Sequence, residues 1–464
     1  MKSGEILSCG IFLAACLGVA APAAPRPALT GAQTAAVDAF MTQEMVRTHV
    51  PGAAVGIYSR GTMLLAKGYG LANVELAVPV KPQTIFQSGS VGKQFVSAAI
   101  MMLVEQGRIS LGDGIAKYFP GAPASWAAIK IENLLSHTSG LAEYETDART
   151  GPNGPFYLRL DFTENQLLQK IEALPIENAP GARWAYRNTN YVLLGILIHR
   201  VTGLFYADYL AKHIFKPLGM TSTRLISEAD VIPNRAAGYQ WQNETLKNQD
   251  WVSPTFNSTA DGALYFNVLD LAKWDAALYT TRLLKQSSLD RIWTVYRLND
   301  GRPNPAQYGF AWRIHTQNGH RIVEHGGAWQ GFTCQIARYT GDSLTVVVLT
   351  NLDAGHARPD YAAHVIAGLV DAALLPQKLT AIAGPDPRVM ASLRSALDRR
   401  HLTALWPGGD VTLVDRTIDE DDPTLRIYQF RLLKASRSVL LDLVINAKGH
   451  IDSLFAEPDK EYRA

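Results

Sequence analysis

Val37, Phe40, Met41 and Met45 recur at helical spacing, and Pro51-Gly52 stops the helix they predict. Residues 53–58 and 62–70 then alternate as two strands around a turn at Ser59-Arg60-Gly61. The stretch 91–106 is apolar nearly all round (Val91, Phe95, Val96, Ala99, Ile100, Met102, Leu103) and closes at Gly107, so it predicts a buried helix. Residues 131–284 read mainly as helices and long connections, among them an apolar helix at 191–202 capped by Gly203. Strands return at 309–315, 320–325, 332–339 and 343–352, with turns at Gln317-Asn318-Gly319 and Gly341-Asp342, and a helix at 361–375 follows to cover a sheet face.

Two strands that open a unit and four that close it, with helices between, predict an α/β sandwich: a mostly antiparallel sheet flanked by helices, carrying an inserted helical region. That unit is expected to span residues 28–375. Pro376 to Pro387, with Ala383-Gly384-Pro385, reads as a linker. Residues 388–464 then predict a small α+β domain, with one helix (389–405) before three or four strands that include 439–445 and 451–455. A length of 464 residues suits one large domain with an appendage.

Composition adds exclusions. With 47% hydrophobic and 19% charged residues the chain has an ordinary globular balance. A net charge of +2 with no Lys/Arg run gives nucleic acid nothing to bind. Lys2, the apolar stretch Ile6 to Ala20 and the small residues Ala21-Pro22-Ala23-Ala24 read as an export signal, with cleavage after Ala23 fitting A-x-A. The apolar core is too short to span a bilayer. The expectation is an exported protein, periplasmic or secreted, with no transmembrane span in the mature chain. Leu13-Ala14-Ala15-Cys16 also resembles a bacterial lipobox, which makes a lipid anchor at Cys16 the alternative; the continuing apolar run to Ala24 favours the soluble form. Cys9 and Cys16 lie in the leader, so Cys334 is left without an internal partner and reads as a buried structural thiol.

The chemistry centres on Ser90-Val91-Gly92-Lys93. Positions i and i+3 share a helix face, so the amine can reach the hydroxyl. A serine needs a base before it attacks, and a lysine in a dry site has its charged form disfavoured and can be that base. The helix N-terminus adds positive potential at the same place.

The segment Phe86 to Phe95 resembles the nucleophile region of the penicillin-recognising serine hydrolases, which comprise class C β-lactamases, D-alanyl-D-alanine carboxypeptidases, D-aminopeptidases and related esterases. Their other two motifs match Tyr186-Arg187-Asn188 and His325-Gly326-Gly327. Further stretches that resemble family segments are Ile131 to Leu141, Ile214 to Met220 and Ala260 to Trp274. The likeness runs from about Val37 to Val370 and implies a β-lactamase-like fold.

It also implies a covalent acyl-enzyme on Ser90, formed with an amide or ester carbonyl of a small-molecule or peptide substrate and needing no cofactor. In an extended loop Tyr186 and Asn188 face one way and Arg187 the other. Tyr186 can share the base role and protonate the leaving group; Asn188 can hold Lys93 and a substrate carbonyl. His325, Gly327 and Ala328 are the substrate-binding residues the resemblance adds. By it, the oxyanion hole is the N–H of Ser90 with that of Ala328.

Two departures bear on substrate. Gly326 stands where many members place a Thr or Ser that helps hold a carboxylate, and His325 is expected to be only partly charged near neutrality. Carboxylate recognition should weaken, which favours esters, amides or amino-terminal D-peptides, unless Arg187 turns inward. A phosphate loop is excluded by Gln87 and Gln94, and an α/β-hydrolase by the lack of a G-x-S-x-G elbow. His315, His320 and His325 have no ligand-like spacing, so no metal is expected. The motifs are shared by an alternative class, a penicillin-binding or sensor protein that is acylated, or binds cell-wall peptide, without efficient turnover.

Overall fold

The computed structural model of the chain describes residues 25–375, 387–399, 410–418, 426–434, 437–445 and 451–458. The expected leader with its Cys16, and the linker up to residue 386, lie outside the described residues.

The main unit is built on one antiparallel sheet. Its strands are β1 (Gly52–Ser59), β2 (Thr62–Asn73), β3 (Val78–Pro79), β4 (Arg313–Gln317), β5 (His320–Trp329), β6 (Phe332–Tyr339) and β7 (Leu344–Thr350). Their order across the sheet is β3-β2-β1-β7-β6-β5-β4. The first and last strands of the unit therefore pair at its centre, Val55 opposite Val348. Everything between β3 and β4 is one long excursion from the sheet, which agrees with the expected insertion.

Strand alternation explains the layering. Ala53, Val55 and Ile57 of β1, with Val346 and Val348 of β7, face α1 (Gly31–Thr48) and a C-terminal helix at Pro359–Val370. Ala54 and Tyr58, with Val347 and Leu349, face the opposite core, which holds α2 (Lys93–Glu105), α3 (Asn188–Thr202) and α4 (Val268–Ala277). Both faces are covered, so every residue of β1, β6 and β7 is buried. Two-residue turns at Arg60-Gly61 and Asn318-Gly319 carry positive φ at both positions (50° and 80°, 53° and 80°), the geometry that matches strand twist.

Several boundaries differ from the periodicity reading. The strand expected at 309–315 starts at Arg313, because Gly309 donates its N–H to the Trp312 carbonyl (2.8 Å) and Ala311 takes a φ of 66°. The helix expected from Val91 is preceded by a 3₁₀ turn, Gly89–Gly92, and becomes α-helical at Lys93. The helix at 361–375 ends at Val370, where Asp371 turns extended, and the helix at Pro359–Val370, now α5, is followed by a short 3₁₀ turn. The loop 237–254 contains a hairpin, Tyr239–Gln242 with Thr245–Asn248.

Beyond residue 386 comes α6 (Pro387–Arg399); residues 400–405 of the helix expected there lie outside the described residues. A four-stranded antiparallel meander follows, β8 (Asp410–Ile418), β9 (Arg426–Lys434), β10 (Arg437–Ile445) and β11 (Ile451–Pro458). Leu441, Leu443 and Ile445 of β10 are buried on one face. Among the described residues no single helix is long and apolar enough to cross a membrane.

Candidate active site

The turn that presents Ser90 is pinned before it is reached. Phe86 and Gln87 pair with Phe266 and Tyr265, and Ser88 donates its N–H to the Leu264 carbonyl (2.8 Å) and its hydroxyl to that of Gly262 (2.9 Å). Gly89 then takes φ +45°, and a Cβ there would lie 2.3 Å from the backbone nitrogen of Ala328. Only glycine allows this approach. The 3₁₀ turn that follows sets Ser90 at the mouth of α2, with its Oγ 2.8 Å from Lys93 Nζ.

Lys93 is fully buried. Its Nζ has three oxygen partners: Ser90 Oγ, Asn188 Oδ1 (2.8 Å) and the main-chain carbonyl of Asp261. The two besides Ser90 can only accept. An ammonium fills the set with three N–H donors; a neutral amine fills it with two N–H groups donated to Asn188 and Asp261 and the lone pair left for the Ser90 hydroxyl.

Tyr186 and Asn188 meet this pair as the alternation predicts. The Tyr186 ring lies 5.1 Å from Lys93 Nζ. Its hydroxyl is buried without a hydrogen bond. Burial raises its pKa above the ordinary phenol value, against the opposing electrostatic pull of Lys93, so the phenol keeps its proton at neutral pH. Arg187 faces away and pairs with Glu177 at 2.6 Å, so it supplies no charge to the site.

His325 and the residues after it form the opposite wall. The imidazole Nε2 lies 2.8 Å from the Tyr308 hydroxyl and Nδ1 2.6 Å from the Gly326 carbonyl. Burial pulls its pKa down to about 4, so the partial charge expected from its type is absent at neutral pH. The affinity for a carboxylate-bearing ligand is accordingly expected to stay flat between about pH 5.5 and 7. A calorimetric titration that shows tightening as pH falls through 6.5 would contradict it.

Ala328 pairs with Thr333 one step in from the closing pair of a two-residue hairpin, Trp329 with Phe332. The closing pair exchanges the ladder bonds, which leaves the Ala328 N–H directed away from β6, on the edge that abuts Gly89. Gly327 is tighter still: a Cβ would lie 2.2 Å from the Ser88 carbonyl and 2.9 Å from both Val91 N and Cys334 Sγ. Gly327→Ala is therefore expected to cost about 1–3 kcal/mol and to push the nucleophile turn off β5. Thermal unfolding reads the first effect and acylation rate the second. Cys334 is buried, donates to the Ser88 carbonyl (2.9 Å) and has its pKa raised by burial, consistent with a structural thiol.

Ser90, Tyr186, Asn188, His325, Gly327 and Ala328 all line one cleft of about 720 Å³, with Trp184 and Tyr308 as an aromatic side wall. The seven residues singled out from sequence thus converge, Lys93 lying directly beneath Ser90. Four others were not anticipated. His137 packs at a tilt against Tyr186 (ring centroids 4.2 Å, planes 36° apart) and accepts the Arg187 N–H (3.2 Å), its pKa pushed well down by burial so that it stays neutral. Asp261 supplies the carbonyl for Lys93. Glu143 and Glu145 both bond Asn188. A signal for the pair was present in Glu143-Tyr144-Glu145, two carboxylates placed two apart just after a segment resembling the family. Among the described residues no group of three or more His, Cys, Asp or Glu could hold a metal ion.

A sandwich of this topology, with serine, lysine, tyrosine and asparagine gathered at one cleft, defines the penicillin-recognising serine hydrolases. The β-lactamase family model matches residues 37–371, and the chain belongs to that family. Penicillin-binding protein 4* of Bacillus subtilis (strain 168) is 30% identical over 317 residues, which cover 63% of this chain and 68% of the relative. Protein flp of Staphylococcus aureus (strain MW2) is 29% identical over 356 residues, 74% of this chain and 68% of flp. Among solved structures, the octameric penicillin-binding protein homologue from Pyrococcus abyssi shares the fold with a TM-score of 0.64 at 24% identity, covering 89% of this chain and 96% of that one. The D-stereospecific amidohydrolase from Streptomyces sp. does so with a TM-score of 0.61 at 24% identity, covering 73% and 98%.

Proposed function

We propose that the protein is a serine hydrolase that opens amide or ester carbonyls through a covalent acyl-enzyme on Ser90, acting on D-amino-acid peptides or amides, cell-wall peptide or small esters. The observation that carries this reading is the partner set of Lys93. Of its three oxygens only Ser90 Oγ has a proton to give, so a neutral amine there is poised to take it as Ser90 attacks. The carbonyl oxygen turns toward the N–H groups of Ser90 and Ala328, where a tetrahedral oxyanion finds two donors. Tyr186, held protonated, gives its proton to the leaving amine or alkoxide and recovers one through Lys93. Water then releases the acyl group from Ser90.

The substrate class rests on what the third motif lacks. With Gly326 bearing no hydroxyl, His325 neutral and Arg187 turned to Glu177, the third motif itself offers a substrate carboxylate no charged partner, and the cations that line the cleft, Arg313 and Arg358, lie outside that motif. That favours amides and esters over β-lactams and D-Ala-D-Ala termini. The shared fold with the Streptomyces amidohydrolase agrees with an amide substrate.

The similarity to penicillin-binding protein 4* supports a second reading, acylation without efficient turnover. Intact-mass measurement after exposure to benzylpenicillin and, separately, to a D-amino-acid amide separates the two. An amide consumed catalytically, with no stable adduct, is expected of the hydrolase. A penicillin adduct that persists while the amide stays intact would establish the binding protein instead.

A further inference from the structure

Asn188 is held by two carboxyl groups that the reaction itself does not require. Glu143 Oε2 accepts the Asn188 main-chain N–H (2.5 Å), and its Oε1 accepts the N–H of Glu145 (2.8 Å). Glu145 Oε2 accepts from the Asn188 side-chain Nδ2 (2.6 Å). Glu143 thus fixes the backbone at the head of α3, while Glu145 fixes the amide. Among the described residues neither carboxyl has an ion-pair partner, and Glu145 lines the cleft.

A side-chain amide has one accepting end and one donating end. With Nδ2 committed to Glu145, Oδ1 must face Lys93 Nζ, where it lies at 2.8 Å. Turned over, the amide would aim N–H groups at the amine and remove one of the two acceptors that leave its lone pair to Ser90. We propose that Glu145 is a positioning residue that sets the orientation of the Asn188 amide and, through it, the acceptor that holds Lys93 against Ser90. This rests on the serine-hydrolase reading above.

The ionisable groups facing Glu145 are Glu143 on its own loop, Asp261 on the turn before Leu264, with Tyr144 bonded to it (2.7 Å), and Lys93 at the head of α2. Burial, then Asp261, then Glu143 lift the Glu145 carboxyl to about 8, against Lys93 and Asn188. It is therefore protonated at neutral pH and ionises in mildly alkaline solution. A carboxylate formed there places a full negative charge beside the Asn188–Lys93 contact, close to where negative charge develops on Ser90 as it attacks, and the two repel. Wild-type kcat/KM should turn down above about pH 8.

The test is the profile of kcat/KM for p-nitrophenyl acetate from about pH 6 to 9.5 in wild type, Glu145→Gln and Glu145→Ala, with Ser90→Ala as control. Glutamine keeps an accepting oxygen but cannot ionise, so its profile should lose the alkaline downturn. Alanine frees the amide, and a loss of about 10- to 100-fold in kcat with KM within about threefold is expected, most of it recovered in the glutamine variant. A downturn at the same pH in Glu145→Gln, or full activity in Glu145→Ala, overturns the proposal alone. A wild-type burst that survives in Ser90→Ala overturns the hydrolase reading as well.

Discussion

Ser90→Ala is expected to abolish the burst of p-nitrophenolate from p-nitrophenyl acetate and to lower kcat by roughly 10⁴-fold or more. The effect is large because nothing else in the cleft can take over the attack. Lys93 Nζ is enclosed by Ser90, Asn188 and Asp261, and Cys334 is buried with its pKa raised and its thiol turned to the Ser88 carbonyl. The Tyr186 phenol keeps its proton. Stability should hardly change, since the variant loses one hydrogen bond, worth about 0.5–1.5 kcal/mol, at a half-buried position. Stopped-flow absorbance with intact-mass measurement checks it. An undiminished burst, or an acyl adduct mapping to another residue, would remove Ser90 from the reaction.

The convergence of the three motifs was legible because each depends on local geometry. Ser90 and Lys93 are one turn apart, Tyr186 and Asn188 alternate, and Gly327 is a residue type that announces close approach. The sheet was legible for the same reason, since strand alternation and positive-φ turns are local properties. The misreadings come from what is not local. Tyr308-Gly309-Phe310-Ala311-Trp312 has the composition of a strand, yet a turn at Ala311 interrupts it, and no periodicity records that. The charge state of His325 could not be read from its type, because its burial against Tyr308 depends on a residue 17 positions away. Asp261 acts through a carbonyl, which carries no sequence signature at all. Glu145 reaches Asn188 across 43 positions of chain, and only the folded loop shows that its carboxyl, and not a lysine or arginine, orients that amide.

Lys93→Met should separate rate from stability as cleanly as any change in the chain. The thioether fills much of the same volume but takes no proton, so kcat/KM is expected to fall by about 10³- to 10⁴-fold, the range for losing a positioned general base. Two effects on stability oppose each other. The carbonyls of Asn188 and Asp261 lose their donor, at about 1–3 kcal/mol for a buried group left unsatisfied. Against that, an amine that is fully buried in the wild type no longer has to be desolvated. The melting temperature should therefore move by only a few degrees while activity collapses. Lys93→Arg sharpens the argument, because a guanidinium keeps the charge and the donors yet stays protonated at any working pH. It is expected to be as inactive as the methionine variant. Arginine retaining activity within about tenfold of wild type would mean that the residue serves as a fixed cation, and that the proton of Ser90 leaves by way of Tyr186 alone.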